Sequence, residues 1–307
     1  MIRLDRVAAR QRPLVLASVT VSWQAGVHSV LGTPADGGPL LLALLGGAAR
    51  ARSGRIEVLG GPPGGPEVRR QVARVPLEVS LPDALRVDES LEVAAAIRHD
   101  AAQTPEKRLA ALGVETLASR RVRSLSRAEA RAVALAEAVT STCVRVILVE
   151  EPFVAMDPRA SARLPELLRA RAHGGCAVIV ETASPRDAAE LADDHLLLRA
   201  GAVVGHAASM EELAGLSPDG ARLRLVARDA EDARALAAAL AADPDVQAVE
   251  HQGATLMARG ASGPLLARAA ERAVGRAERE VTEMRLDPPS LEQARASAAR
   301  LPPGGTP

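Results

Sequence analysis

Between Val30 and Gly47 the chain reads V-L-G-T-P-A-D-G-G-P-L-L-L-A-L-L-G-G: an apolar strand end, a Gly/Pro loop and the start of a helix. That is the frame of a phosphate-binding P-loop, in which backbone N–H groups, a lysine and a Ser/Thr hydroxyl hold phosphate and Mg2+. Lys107 is the only lysine, and the other fixed cations are all arginine, so chemistry that needs an amine must use Lys107 or do without. Cys143 and Cys176 stand well apart with no C-x-x-C spacing, so neither a zinc site nor a disulfide framework is expected. G-x-S-x-G and H-E-x-x-H are absent, no Cys is paired with a His as a nucleophile and base, and Ser126 and Ser184 have no base partner in sequence.

The elements that must position this loop follow from pattern. Val27–Leu31 reads as a strand feeding the loop Gly32–Pro39, with a helix from Leu40 to about Ala51. Arg55–Val58 is a brief strand and Gly60–Pro66 a turn-rich break. Leu91–His99, Glu106–Leu112 and Arg127–Thr140 read as helices. Val144–Val149 and Ala177–Glu181 are near-continuous apolar runs of the buried parallel-strand kind, separated by another helix, and His195 stands at a further strand start. Strands alternating with helices define an α/β domain with a mainly parallel sheet core, expected over residues 1–215. Residues 221–289 read strand (Arg222–Val226), helix (Ala230–Leu240), strand (Val246–His251), strand (Thr255–Ala258), helix (Pro264–Gly275), strand (Val281–Leu286). That βαββαβ order is an α+β ferredoxin-like domain. A short helix from Ser290 and a disordered Pro/Gly tail, Pro302–Pro307, are expected over residues 290–307.

Composition narrows the function. The chain has 307 residues, 48% of them hydrophobic and 25% charged, which is ordinary for a globular protein and excludes wholesale disorder. Trp23 and Phe153 are the only aromatics, so a base-stacking surface for single-stranded nucleic acid is excluded. Lys plus Arg and Asp plus Glu number 38 each, which also argues against a nucleic-acid partner, whose affinity rests on excess cations. Arg3, Asp5 and Arg6 break up the N-terminus, so it does not read as a signal peptide. The longest apolar run, Pro39–Leu45, is far short of the roughly 20 residues of a membrane span. A cytoplasmic protein, attached to the membrane only through a partner, is expected.

Three segments together carry a family resemblance. The loop frame Val30–Gly47 is the first. L-S-R-A-E-A-R-A-V-A-L-A-E-A (Leu125–Ala138) resembles the ABC-ATPase signature and the helix that follows it. V-I-L-V-E-E-P-F-V-A-M-D-P (Val146–Pro158) resembles that family's Walker B strand, catalytic glutamate and D-loop. S-G-R-I-E-V-L-G (Ser53–Gly60), V-P-L-E-V-S-L (Val75–Leu81) and E-T-A-S-P-R-D-A-A-E-L-A-D (Glu181–Asp193) fall where the family has its post-loop strand, Q-loop and switch-histidine segment. Order and spacing agree over roughly residues 1–210, so the chain resembles the nucleotide-binding subunit of an ABC transporter. The C-terminal part, including D-P-P-S-L-E (Asp287–Glu292), resembles the extension of export-type subunits. The resemblance implies ATP and Mg2+ as cofactors, a membrane permease as partner, and a homodimer or a heterodimer with another ABC subunit. It places positional equivalents of the ATP site at Gly32, Gly37, Gly38, Ser126 and Asp157, a general base at Glu151, and an Mg2+ ligand at Glu150.

The same alignment exposes substitutions. Gly38 stands at the lysine position, and Pro39 and Leu40 at the hydroxyl positions. Pro34 and Pro39 each remove a backbone donor, and Asp36 brings negative charge to the place of a triphosphate. At about 1.5–3 kcal/mol per charge-assisted bond, losing the lysine and the metal hydroxyl costs about 3–6 kcal/mol, some two to four decades of affinity. Leu77 replaces the Q-loop glutamine and Ala183 the switch histidine; Arg127 and Ala128 replace the signature glycines and Glu129 its glutamine. The expected function is therefore an ABC subunit-like pseudo-ATPase, a structural or regulatory partner of a permease that meets it at about Leu77–Leu125. The alternatives are a functioning ATPase acting through Glu151, and a soluble interaction module that kept only the fold.

Overall fold

The computed structural model describes residues 1–100, 102–215, 221–260 and 263–287. The helix from Ser290, the tail Pro302–Pro307 and the closing motif beyond Asp287 lie outside them. The chain divides into two compact units between His206 and Ala207.

The N-terminal unit is built on two sheets. Strands β1 (Ile2–Gln11) and β2 (Leu14–Trp23) pair antiparallel, followed by β3 (Gly26–Leu31), α1 (Gly38–Leu45) and β4 (Ser53–Val58); β4 joins the first sheet in the order β2-β1-β4. The chain continues through α2 (Pro66–Gln71), β5 (Val72–Val75), α3 (Val87–Arg98), α4 (Pro105–Ala110), α5 (Arg127–Thr140), β6 (Val146–Glu150), α6 (Pro158–His173), β7 (Ala177–Thr182), α7 (Pro185–Leu191), β8 (Asp194–Arg199) and β9 (Ala202–Ala207). The second sheet has the order β5-β6-β7-β3-β8-β9, and β5 through β8 in that order run parallel.

Strands β6 and β7 are buried at every position, which is why they read as unbroken apolar runs rather than alternating ones. Their side chains alternate between two cores. Val178 and Val180 face the core built with Leu91, Leu135 and Leu164, while Ala177 and Ile179 face the one holding Leu41, Leu44 and Trp23. The apolar helix α1 is thereby sandwiched, with all three of Leu40, Leu41 and Leu42 buried. It stops at Leu45, short of the expected Ala51, because Gly46 caps it and Gly47 turns left-handed at φ 71°.

Helix α5 spans the expected residues and starts at a capping box. The Ser126 hydroxyl accepts from the Glu129 N–H at 3.2 Å, and the Glu129 carboxylate accepts from the Ser126 N–H at 2.8 Å. Ser126→Ala is expected to cost about 1 kcal/mol, measured as a lower urea midpoint with an unchanged slope.

The C-terminal unit contains α8 (Met210–Gly215), β10 (Ala221–Ala227), α9 (Ala230–Ala241), β11 (Ala248–Gln252), β12 (Thr255–Gly260), α10 (Gly263–Ala277) and β13 (Val281–Asp287). The antiparallel order β11-β12-β10-β13 is the ferredoxin-like arrangement expected from the βαββαβ pattern. Burial alternates along β10, which puts Leu223 and Leu225 in a core with Leu236, Leu240 and Leu266.

Candidate functional site

Parallel register brings the loop and the acidic residues to one end of the sheet. Val30 lies beside Glu181, and Glu150 beside Glu181 on the other side. The C-terminal ends of β3, β6 and β7 therefore converge, as at the ligand-binding edge of open α/β sheets. The loop Gly32–Gly37 leaves β3 there and α1 begins at Gly38.

The loop is short and tightly held. Pro34–Asp36 form one 3-10 turn, and Asp36 folds back over it. Its carboxylate accepts from the Thr33 N–H at 2.8 Å, the Thr33 hydroxyl at 2.6 Å and the Ala200 N–H at 2.9 Å. Gly37 adopts φ 98°, and a Cβ there would lie 2.7 Å from the Val15 carbonyl oxygen, so both backbone conformation and space demand glycine. Pro39 sits in the first turn of α1, a position where proline's missing donor is not needed by the helix. Gly38 is buried with the Glu181 side chain packed directly against it.

Behind the loop lies a cluster of charges. Glu150 accepts from the Arg74 guanidinium at 2.7 Å and from the Leu77 N–H at 3.1 Å. The chain turns at Glu151 with a left-handed φ of 42°, and both its carboxylate oxygens are engaged. One accepts from the Thr182 hydroxyl at 2.9 Å, the other from the Ala183 N–H at 2.8 Å. Arg131, on α5, donates to the carbonyls of Pro76 (2.9 Å), Leu77 (3.3 Å), Glu151 (2.6 Å) and Glu150. Burial lowers its pKa, against the opposite pull of Glu150 and Glu151. Glu181 is 1% exposed and its Oε1 has no hydrogen-bond partner among the described residues. Burial, then the charges of Glu151 and Glu150, push its carboxyl up to about 8.

Gly32, Gly37, Gly38, Glu150 and Glu151 thus gather around the end of the sheet. Ser126 and Asp157 are engaged as helix caps, Asp157 accepting from the Arg159 N–H at 2.8 Å. The Arg127 side chain is 91% exposed and stands 3.8 Å from Glu78. Lys107 is exposed on α4, away from the loop in sequence and in fold position. Leu77 and Ala183 contribute only backbone: the first donates to Glu150, the second to Glu151. Sequence reasoning missed Glu181 and Arg131 as site residues. Two successive glutamates closing a buried strand need a counter-charge, and Arg131 on the apolar stretch of α5 was the signal for it. Among the described residues no group of three or more His, Cys, Asp or Glu side chains is arranged to hold a metal ion.

A parallel α/β core with a loop of P-loop frame at its carboxyl edge defines the nucleotide-binding-type class of fold. Comparison with known proteins gives the family. Residues 17–154 match the sequence model of the ABC transporter family. The molybdenum import ATP-binding protein ModC of Albidiferax ferrireducens is 31% identical over 207 residues, 62% of this chain and 54% of that one. The SkfA peptide export ATP-binding protein SkfE of Bacillus subtilis is 28% identical over 179 residues, 57% of this chain and 74% of that one. Among solved structures, an ATP-binding subunit of an ABC transporter superposes with a TM-score of 0.62 at 20% identity, covering 69% of this chain and 91% of that one. A dimeric ATP-binding cassette bound to ADP and Pi gives 0.60 at 19% identity, covering 68% and 98%. The N-terminal unit is an ABC transporter ATP-binding domain, homologous to ABC ATP-binding subunits. The match spans about half the length of the ModC relative.

Proposed function

We propose that this chain is a pseudo-ATPase: an ABC subunit-like partner that supports or regulates a membrane permease without hydrolysing ATP. The observation that carries this reading is the engagement of the surviving acidic residues by the protein itself. Glu151, at the general-base position, has one oxygen on Thr182 and the other on Ala183, and Glu150, at the metal-ligand position, is held by Arg74 and Leu77. A general base must reach a water, and a metal ligand must face a cation. The residues present do not fit Mg-ATP: there is no lysine or hydroxyl at positions 38–40, and Asp36 occupies the Thr33 N–H and hydroxyl of the loop. No catalytic step is therefore assigned to it.

A face for the permease is supported by apolar exposure in the stretch Leu77–Leu125. Leu77, Val93 and Ile97 are exposed. A groove of about 410 Å³ lies beside them, lined by Val75, Val79, Leu81, Leu91 and Val133. Pairing as a homodimer, or with a second ABC subunit that hydrolyses ATP, fits the same reading. No helix among the described residues is long and apolar enough to cross a membrane, so attachment would run through the permease.

Calorimetric titration with Mg-ATP is expected to give no heat up to about 1 mM, a limit corresponding to roughly 4 kcal/mol of binding. Transport by the assembled complex should be unchanged in Glu151→Gln. Micromolar binding, together with loss of transport in that variant, would establish the functioning ATPase instead.

A further inference from the structure

Two carboxyl groups stand where an ATP-binding loop needs open space and positive charge. Asp36 lies within the loop and accepts three hydrogen bonds, two from N–H groups and one from the Thr33 hydroxyl. Loops of this frame use N–H donors of that kind to hold an anion's oxygens. Glu181 lies beneath the helix start. A Cβ built on Gly38 would fall 2.5 Å from its Cγ, 2.9 Å from its Oε1 and 3.1 Å from its Cδ. The Cγ atom is near the root of the side chain, and the residue is fixed by the register of β7 between β3 and β6, so it has little freedom to swing clear. Its Oε1, buried and without a partner among the described residues, shows that no hydrogen bond of that atom accounts for this placement.

We propose that the loop is filled from within: Asp36 stands in for phosphate oxygens, Glu181 takes the volume that a side chain at position 38 would need, and the two with Gly38 exclude a nucleotide polyphosphate as a set. This rests on the reading that the site does not use Mg-ATP, and it adds the physical means. Charge works in the same direction. Glu150 and Glu151 bring two carboxylates to the sheet end beside the one on Asp36, while Arg74 is committed to Glu150 and Arg131 to backbone carbonyls. A polyanion entering there meets like charge with no uncommitted cation among these residues. A lysine introduced at position 38 would meet the Glu181 carboxyl before it met a phosphate. Restoring the lysine and hydroxyls alone therefore does not restore the site.

Two measurements test the set separately from the functional reading. The first uses no nucleotide: thermal unfolding of Gly38→Ala, Glu181→Ala and the double variant. Glycine to alanine at a helix start ordinarily stabilises. Here it should lower Tm by about 3–10 °C through overpacking, and that penalty should vanish in the Glu181→Ala background. An equal effect of Gly38→Ala in both backgrounds overturns the interlock, whatever the natural chain binds. The second titrates tripolyphosphate and Mg-ATP into Gly38→Lys/Pro39→Ser/Leu40→Thr, alone and combined with Asp36→Ala and Glu181→Ala. The three-substitution chain should stay silent at about 1 mM, and the five-substitution chain should bind at least about tenfold more tightly. Equal binding by the two, or silence of a folded five-substitution chain, overturns the proposal. Binding by the natural chain overturns the functional reading, and the alanine cycle still decides the interlock independently. Should the lysine variants fail to fold, the alanine cycle alone decides between interlock and none.

Discussion

Arg131→Ala is expected to destabilise the N-terminal unit by about 3–5 kcal/mol, the loss associated with leaving buried charge and polar groups unpaired. The side chain is 1% exposed and reaches four backbone carbonyls from two separate segments, the one after β5 and the one where β6 ends. Its removal strands those acceptors away from water and takes a cation from beside Glu150 and Glu151. Lysine should recover only part of the loss, because a single ammonium cannot serve carbonyls on both sides as a planar guanidinium does. Urea unfolding followed by circular dichroism reads both variants. A midpoint for Arg131→Ala equal to that of the natural chain would mean the two segments are held by something else.

The second large effect is on pH. Glu181 titrates near 4.5 in the unfolded chain and at about 8 in the folded one. Between those values the folded protein keeps a proton that the unfolded chain has released, so folding is progressively opposed as pH rises. The stability associated with this group is complete below about 4.5 and is lost by about 8, a total of about 4–5 kcal/mol at ~1.4 kcal/mol per unit. Glu181→Gln removes the titration. The difference in unfolding free energy between variant and natural chain should therefore grow in the variant's favour from pH 5 to pH 8 and level off above it. A difference that is flat across that range would mean the carboxyl is ionised and satisfied throughout.

The parts of the fold legible in the sequence are those whose pattern is local. Helix α5 is bounded by its own cap, and β6 and β7 are marked by runs apolar enough for burial on both faces. The C-terminal unit shows its order through clean alternation, as along β10. Strands β1 and β2 are not legible in this way. Their pairing slips between Leu4 and Val7 and again between Val7 and Ala9, and Arg6 and Ser18 take positive φ, so the two-residue period is lost where it would have been read. The loop, Glu150 and Glu151 are legible through spacing along the chain. Glu181 is visible only as the end of one apolar run and the start of the next segment, because its significance comes from lying beside Glu150 and against Gly38, and that is a matter of sheet register between residues far apart in sequence.

Asp36 is only three residues from the Thr33 amide whose hydrogen bond it accepts. A tethered carboxylate acts at an effective concentration of millimolar or more, even where the link is flexible. Dissolved anions must compete against that standing supply, and the Ala200 amide adds a second anchor from the turn after β8. A loop that depends on a solute for its shape gains stability in proportion to how much of that solute is present. This one carries its acceptor in the chain, so on this reading its stability should not track the size of the anion pool around it.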